Sequence, residues 1–158
     1  NRYAAERFGT LVANRRIEKT YLALLTHAPT PPAGVIDSYI RRVGESIILR
    51  ASYPTGAPCE HAVTVYETTE TIGGIAVVRC EPKTGRTHQL RVHFASIGCP
   101  IVGDDLYGGG FAIPRQALHA AALAFVHPMT GADMRIECPL PPDLTAYLET
   151  LRKEENHD

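Results

Sequence analysis

The sequence predicts an α+β domain in which a mixed, mainly antiparallel sheet is flanked by helices. Three observations lead to this class. Apolar and polar residues alternate through HAVTVYETTE, as they do in a half-buried strand. Gly73 and Gly74 form a two-glycine hairpin signal, so that GIAVVRCEP is expected to return as the antiparallel partner. Helical patterns lie near both ends of the chain, and most connections between the predicted strands are short.

The first half of the chain predicts one helix followed by strands. RYAAERFGTLVANRRI has an apolar stripe at helical spacing that includes Tyr3, Phe8 and Leu11. EKTYLALLTH is predicted to be a strand with Tyr21 in its middle. APTPPAG is a proline-rich loop, and GVIDSYI and ESIILRAS predict two short strands before the turn-rich SYPTGAPCE.

The second half predicts two helices and a strand pair. GRTHQLRVHFASIG is helix-like, with Thr87 as a plausible N-cap and Gly98 as a C-terminal cap. QALHAAALAFVHP and ADMRIECPL predict two strands joined by the turn HPMTGAD. PPDLTAYLETLRKEE predicts a closing helix that Asp143 or Thr145 could cap.

Length and composition indicate one globular domain spanning residues 1–158. The chain has 158 residues, of which 44% are hydrophobic and 21% charged, which argues against disorder. No apolar run approaches the ~20 residues of a membrane span, so no membrane partner is expected. The start is polar rather than a signal peptide, and we expect a cytoplasmic protein. The sequence does not indicate an oligomeric state.

Cysteine and histidine spacing predicts no metal site. Cys59, Cys80, Cys99 and Cys138 are widely separated, and no two of them form a CxxC pair. Reduced thiols are therefore favoured over two disulfides, and zinc binding is disfavoured. The histidines show no HExxH pattern that would indicate a catalytic metal.

Charge is distributed unevenly along the chain. Residues 1–91 carry twelve Lys/Arg and eight Asp/Glu, whereas residues 92–158 carry four and nine. A polyanionic partner is therefore expected to meet the first part of the chain. Ordinary solvated surface charge remains the alternative interpretation.

The segment KTGRTHQLR concentrates hydrogen-bond donors where a strand turns into the predicted helix. Lys83, Arg86 and His88 surround the helix start, and Gly85 relieves the turn, which makes a credible anion site. A solvated helix start explains the pattern equally well. Arg91 lies between apolar neighbours and needs a carboxylate partner. That partner is either a structural acid in the core or a catalytic carboxylate.

No activated nucleophile is visible in the sequence. There is no GxSxG elbow, and nothing beside Cys99 marks it as an activated thiolate. Asp104 and Asp105 lie in a turn-rich setting, which predicts a structural role with their side chains bonded to local amides. Tyr21 is interpreted either as core packing or as a ring that stacks on a nucleobase.

Three blocks of the chain resemble the ribosomal large-subunit (RluA-type) family of pseudouridine synthases. They are RRIEKTYLALL, KTGRTHQLRVHFASIGCPIVGDDLYGG and RQALHAAALAFVHPMTG, in this order along the chain. The resemblance implies the fold of that family and the isomerisation of uridine to pseudouridine in ribosomal or transfer RNA. In the family a catalytic aspartate attacks the uridine, and neither a cofactor nor a metal is needed.

The resemblance also implies roles for individual residues. Tyr21 corresponds to the family tyrosine that stacks on the target base and assists proton removal. Arg91 corresponds to the arginine that pairs with the catalytic aspartate. The positions expected to bind RNA are Lys83, Arg86, Thr87, His88 and Leu90.

One family motif is missing from the sequence. The catalytic aspartate belongs to H-R-L-D followed by T-S-G, and neither occurs here. The family places that motif just before a helix similar to NRYAAERFGTLVANRR. We therefore expect the C-terminal part of a catalytic domain, inactive by itself. The alternatives are a non-catalytic RNA-binding module that kept the fold and a metabolic enzyme that holds a small phosphate.

Overall fold

The computed structural model describes residues 2–3, 5–6, 17–43, 50–53 and 60–157. The strands within this part of the chain are β1 (Glu18–Leu25), β2 (Ala33–Arg42), β3 (Arg50–Tyr53), β4 (Glu60–Ile72), β5 (Ile75–Pro82), β6 (Leu118–Val126) and β7 (Asp133–Glu137). The helices with bounds are α1 (Gln89–Ser96), α2 (Pro142–Glu155) and a short 3-10 helix at Asp105–Tyr107. Residues 2, 3, 5 and 6 are helical, in agreement with the predicted first helix. The rest of that helix and the first part of ESIILRAS lie outside the described residues.

The described strands form one sheet in the order β3-β2-β4-β5-β1-β6-β7. Every neighbouring pair runs antiparallel. This confirms the predicted α+β class with a mainly antiparallel sheet. The predicted hairpin is also confirmed: β4 and β5 are joined by Gly73 and Gly74, whose φ angles are 56° and 81°. Both angles lie in the left-handed region that glycine adopts most easily.

The main core contains side chains of the central strands, of both helices and of the segment that follows α1. Leu24 of β1, Val78 of β5 and Phe94 of α1 are fully buried within it. The ring of Phe94 meets the ring of Tyr66 edge-on, with 6.0 Å between the centroids. Leu144 is among the α2 residues buried in the same core. Helix α1 is thereby fixed on the sheet, and the loop before it is held close to β1 and β4.

Two predicted helix caps are wrong. Helix α1 begins at Gln89 after His88, which is left-handed (φ 57°), so Thr87 is not the N-cap. The Gln89 side chain accepts bonds from the Thr84 hydroxyl and the Arg86 amide, and these bonds order the loop before the helix begins. The N-cap of α2 is Pro141, with a proline at the helix start, where a missing N–H costs nothing.

Gly98 follows α1 in the left-handed conformation (φ 77°), as its predicted capping role requires. Asp143, one of the two residues predicted to cap α2, instead binds Arg115 through both carboxylate oxygens. Thr145, the other, donates its hydroxyl to the carbonyls of Leu140 and Pro141.

Candidate active site

A cavity of about 250 Å³ opens where β1 meets the loop before α1. We call it the Tyr21 cavity. Its wall brings together Tyr21 of β1, Leu90 and Arg91 of α1, and Arg86 and His88 of the loop. Five of the seven sequence-predicted site residues therefore lie at one place, although 70 positions separate Tyr21 from Arg91. The pairing of β1 with β5 closes that separation, because β5 leads directly into the loop and α1.

The two remaining predicted residues lie beside this cavity rather than in its wall. Lys83 is exposed and forms an ion pair with Glu81 over 2.9 Å. Thr87 is exposed and lines a neighbouring groove. An exposed ion pair contributes little to stability, so the Lys83 ammonium can leave Glu81 for another anion at little cost in free energy.

Arg91 is held by a carboxylate in this same chain. Its Nε and Nη2 atoms donate to the two oxygens of Asp104, each over 2.8 Å, which is the fork geometry of a strong arginine–carboxylate pair. The Asp104 side chain is 0% exposed and that of Arg91 is 17% exposed. The hydrogen bond to Asp104 raises the pKa of the Arg91 guanidinium.

This pair corrects the sequence-based expectation for Asp104. Its carboxylate was expected to bond local amides in a turn, but both of its oxygens accept from Arg91. The turn places the buried Asp104 carboxylate beneath α1, where it meets Arg91. Asp105, the next residue, is exposed.

Tyr107 supports the site, and the sequence did not mark it. The Arg91 guanidinium carbon lies 5.1 Å from the centroid of the Tyr107 ring, a cation–π distance. The Tyr107 hydroxyl accepts the Arg50 amide over 3.0 Å and lies 2.7 Å from Nδ1 of His88. Burial raises the pKa of this phenol, so it keeps its proton at neutral pH. Its position in DDLYGG, near a clustered set of glycines, was the one available signal.

Tyr21 presents a half-buried ring to the cavity. It pairs with Cys80 of β5 and Ala120 of β6, and the register of β1 against β6 shifts just before it. Burial, and to a lesser extent Cys80, raises the pKa of the Tyr21 phenol. The phenol is therefore protonated at neutral pH, and the ring offers an aromatic surface with a hydroxyl at its tip.

Arg86 is fixed at the rim by contacts with the start of β4. Its Nε donates to the His61 carbonyl over 2.7 Å, and its Nη1 meets Glu60 over 3.1 Å. The Arg86 amide donates to the side chain of Gln89. These contacts position the guanidinium between the Tyr21 cavity and the neighbouring groove.

A buried polar network links α1 to the sheet beneath the site. His93, which is 0% exposed, lies 2.8 Å through Nδ1 from the Thr64 hydroxyl and 2.9 Å through Nε2 from the Ser38 hydroxyl. Gln89 donates to Thr64 over 3.0 Å, and Ser38 lies 2.6 Å from Ser52. Burial lowers the pKa of His93 to about 4, so this imidazole is neutral at physiological pH. Sequence reasoning gave no role to Gln89, and spacing alone did not reveal this network.

Within the described ranges, no group of three or more His, Cys, Asp or Glu side chains is placed to hold a metal ion. Cys80, Cys99 and Cys138 are free, while Cys59 lies outside the described residues. Burial raises the pKa of the Cys80 thiol to about 12, so this thiol is protonated at neutral pH. No helix in the described part of the chain is long and apolar enough to cross a bilayer.

The fold and this site together define a class of protein. Two solved human structures, RNA pseudouridylate synthase domain containing 4 and domain containing 1, superpose on the chain with TM-scores of 0.77 and 0.78. Their sequence identities are 26% and 29%, over 94% and 92% of this chain and 67% and 64% of theirs. The fold is therefore that of the pseudouridylate synthases.

Sequence comparison gives the family directly. The RNA pseudouridylate synthase family profile matches residues 1–96, and the chain belongs to this family. The uncharacterized RNA pseudouridine synthase YjbO of Bacillus subtilis is 37% identical over 99% of this chain and 53% of its own length. Ribosomal large subunit pseudouridine synthase D of Vibrio parahaemolyticus is 36% identical over 96% of this chain and 50% of its own. The chain thus spans about half the length of these relatives.

Proposed function

We propose that this chain forms the tyrosine- and arginine-bearing part of an RNA pseudouridine synthase, which isomerises uridine in ribosomal or transfer RNA. One observation carries the proposal: Tyr21, Leu90 and Arg91 meet at one cavity, each in the sequence setting that resembles the family motif. A relative named for the ribosomal large subunit supports RNA of the ribosome as substrate. We place the protein in the cytoplasm, where such RNA is made and modified in bacteria.

The proposed reaction conserves all atoms of the nucleotide. The bond between N1 of uracil and C1′ of the ribose breaks, the base turns, and a bond between C5 and C1′ forms. C5 loses a proton and N1 gains one, so the isomerisation needs no oxidant or reductant and no cofactor is proposed. The site must flip the target uridine out of its stack, hold the base while it turns, and exclude competing attack by water.

Tyr21 suits the task of holding the base. An aromatic side chain stacks on a nucleobase with about 1–3 kcal/mol per base. The raised pKa of its phenol makes the phenolate scarce at neutral pH, so the hydroxyl is a weak general base by itself. We therefore assign stacking to Tyr21 as its main role, with Leu90 as an apolar wall of the same cavity.

Asp104 does not qualify as the nucleophile. It has no exposed surface, and Arg91 engages both of its oxygens. Among the described residues that line the Tyr21 cavity there is no Asp or Glu. We propose that the nucleophilic aspartate is supplied by polypeptide outside these 158 residues. A guanidinium has five N–H donors and Asp104 takes two of them, which leaves capacity for a second carboxylate.

Release of tritium from C5 of uridine to water tests this proposal. RNA transcribed with uridine labelled with tritium at C5 releases the label to water when pseudouridine forms, and nuclease digestion with chromatography identifies the product. We expect no release by the 158-residue chain. We expect release by a polypeptide extended on its amino-terminal side to include the family's aspartate motif. Turnover by the 158-residue chain would contradict the assignment of the nucleophile.

Two substitutions separate the ring of Tyr21 from its hydroxyl. In the extended polypeptide, Tyr21→Leu should weaken RNA binding by about 1–3 kcal/mol because stacking is lost. Tyr21→Phe should leave binding unchanged. Tyr147→Phe, a hydroxyl deletion on α2, is the matched control and should behave as the wild type. Equal binding by Tyr21→Leu and wild type would remove Tyr21 from the base site.

A non-catalytic RNA-binding module is the second candidate, and one observation favours it. Arg91 is neutralised by Asp104 within this chain, so the fold does not need a catalytic aspartate to balance that charge. The tritium assay decides between the two functions. If the extended polypeptide binds RNA and releases no tritium, the result favours the non-catalytic RNA-binding module over the synthase.

A further inference from the structure

Tyr107, the last residue of the short 3-10 helix, contacts three different parts of the fold. Its ring centroid lies 5.1 Å from the guanidinium carbon of Arg91 on α1. Its hydroxyl lies 2.7 Å from Nδ1 of His88, in the loop before α1. The same hydroxyl accepts the amide of Arg50, the first residue of β3, over 3.0 Å. One side chain therefore joins the loop, the helix and the edge strand of the described sheet.

The turn that carries Tyr107 is tightly constrained. The amides of Tyr107 and Gly109 both donate to the carbonyl of Asp104, over 3.3 Å and 2.7 Å. A side chain at position 109 would place its Cβ 1.8 Å from the carbonyl oxygen of Ile101, so the turn requires glycine there. The same turn therefore supplies both the Asp104 carboxylate and the Tyr107 ring to the guanidinium of Arg91.

His88 has a backbone conformation that few residues with a side chain adopt. Among the described residues it is the one non-glycine with a positive φ, of 57°. Such positions persist only where the surrounding structure holds them, and they occur preferentially at functional sites. The contacts that hold His88 include its carbonyl, which accepts the Val92 amide over 2.9 Å. They also include its ring, which meets the Tyr107 ring edge-on with 5.7 Å between the centroids.

The contacts of the Tyr107 hydroxyl determine where its proton lies. The oxygen accepts the Arg50 amide, and burial raises the pKa of the phenol, so the oxygen keeps its own proton at neutral pH. Within the described part of the chain, Nδ1 of His88 is the one acceptor with which this hydroxyl forms a hydrogen bond. A nitrogen that accepts this bond carries no proton itself. A neutral His88 imidazole therefore carries its proton on Nε2.

We propose that Tyr107 is a positioning residue: its hydroxyl orients His88 and fixes the Nε2–H tautomer of that imidazole, while its ring holds the guanidinium of Arg91. The bond at one ring nitrogen decides whether the other is a donor or an acceptor, and here it makes Nε2 a donor. Tyr107 itself lies outside the wall of the Tyr21 cavity, so it acts through His88 and Arg91, which line it. The effect on turnover rests on the proposed function, whereas the tautomer does not.

Nitrogen NMR of the 158-residue chain, with isotopically labelled histidine, tests the tautomer. Long-range proton–nitrogen correlations at about pH 8, where ordinary imidazoles are neutral, distinguish protonated from unprotonated ring nitrogens. The variant His88→Asn identifies the His88 signals by their loss, and asparagine tolerates the left-handed backbone. We expect an unprotonated Nδ1 and a protonated Nε2 in the wild type. In Tyr107→Phe, which deletes only the hydroxyl, the Nδ1 signal should move towards the average of the two tautomers.

Kinetics of the extended polypeptide tests the effect on turnover. Tyr107→Phe should lower kcat by up to about 100-fold with little change in KM, because groups at the site are misplaced while the RNA still binds. The double variant Tyr107→Phe, His88→Asn should be no slower than the slower single variant, since both changes break the same hydrogen bond. Tyr147→Phe, a hydroxyl deletion on α2, is the matched control and should keep the wild-type NMR signals and kcat. Circular dichroism melts verify that each variant is folded.

A protonated Nδ1 in wild-type His88, or an unchanged Nδ1 signal in Tyr107→Phe, would overturn the inference. Additive losses of kcat in the double variant would also overturn it, because Tyr107 would then not act through His88. Failure of the proposed function has a different signature. If the extended polypeptide releases no tritium while the His88 signals change as expected, the chemistry fails and the ordering of His88 by Tyr107 stands. If wild type and Tyr107→Phe release tritium at equal rates, the chemistry stands and the positioning role fails.

Discussion

Substitution of Asp104 by Asn tests whether the buried ion pair holds the site together. The change removes one charge while it keeps nearly the same shape, and it leaves the Arg91 guanidinium, only 17% exposed, without its carboxylate. Breaking a buried pair in this way costs about 3–5 kcal/mol, and the partial exposure of Arg91 favours the lower end. For a domain of this size, 3 kcal/mol lowers Tm by about 6–12 °C.

Thermal and urea unfolding followed by circular dichroism measure this effect, and the neighbouring residue gives a matched control. Asp105→Asn removes the same charge from an exposed position and should change stability by less than about 0.5 kcal/mol. The double variant Asp104→Asn, Arg91→Gln should recover part of the loss, because two neutral amides can bond each other. Equal melting of the Asp104 and Asp105 variants, or strict additivity in the double variant, would refute the reasoning.

Two further predictions follow from the burial of titratable groups. His93 has a folded-state pKa of about 4 against 6.5 when free, so its contribution to stability is complete above pH 6.5 and is lost as the pH falls towards 4. Urea titrations should show about 3 kcal/mol more loss over this interval in the wild type than in His93→Gln, and parallel curves would contradict the burial argument. Iodoacetamide at pH 8 should alkylate exposed Cys138 in the native protein and spare buried Cys80. Mass spectrometry of tryptic peptides shows which cysteine is alkylated. Modification of Cys80 before unfolding would contradict its assigned burial.

The strand predictions succeeded where the information was local. Alternation in HAVTVYETTE is a property of neighbouring residues, and it predicted β4 because one face of that strand is buried against the core. The hairpin at Gly73 and Gly74 is equally local, since two adjacent left-handed residues suffice to reverse the chain. The two N-cap predictions failed because other contacts compete for the same groups: Gln89 orders the loop that Thr87 was expected to cap.

The candidate site was predicted only in part. Tyr21 and Arg91 came from family motifs, and the structure brings them to one cavity. Tyr107 and the network around His93 were not found, because their partners lie 14 to 57 positions away in sequence. The sequence immediately around a residue does not indicate which distant residue its side chain will contact.

The sequence by itself determined the fold class, the family motifs and the donors of KTGRTHQLR, because each depends on short-range pattern. Only the tertiary structure decided which acid neutralises Arg91 and that Arg86 lines the Tyr21 cavity together with Tyr21 and Arg91. The Asp104 side chain was expected to hydrogen-bond amides of its own turn, yet packing directs its carboxylate into the interior beneath α1. The physical reason is that a buried charge must find its counter-charge, and the packed sheet and helix, rather than sequence spacing, fix which one is within reach.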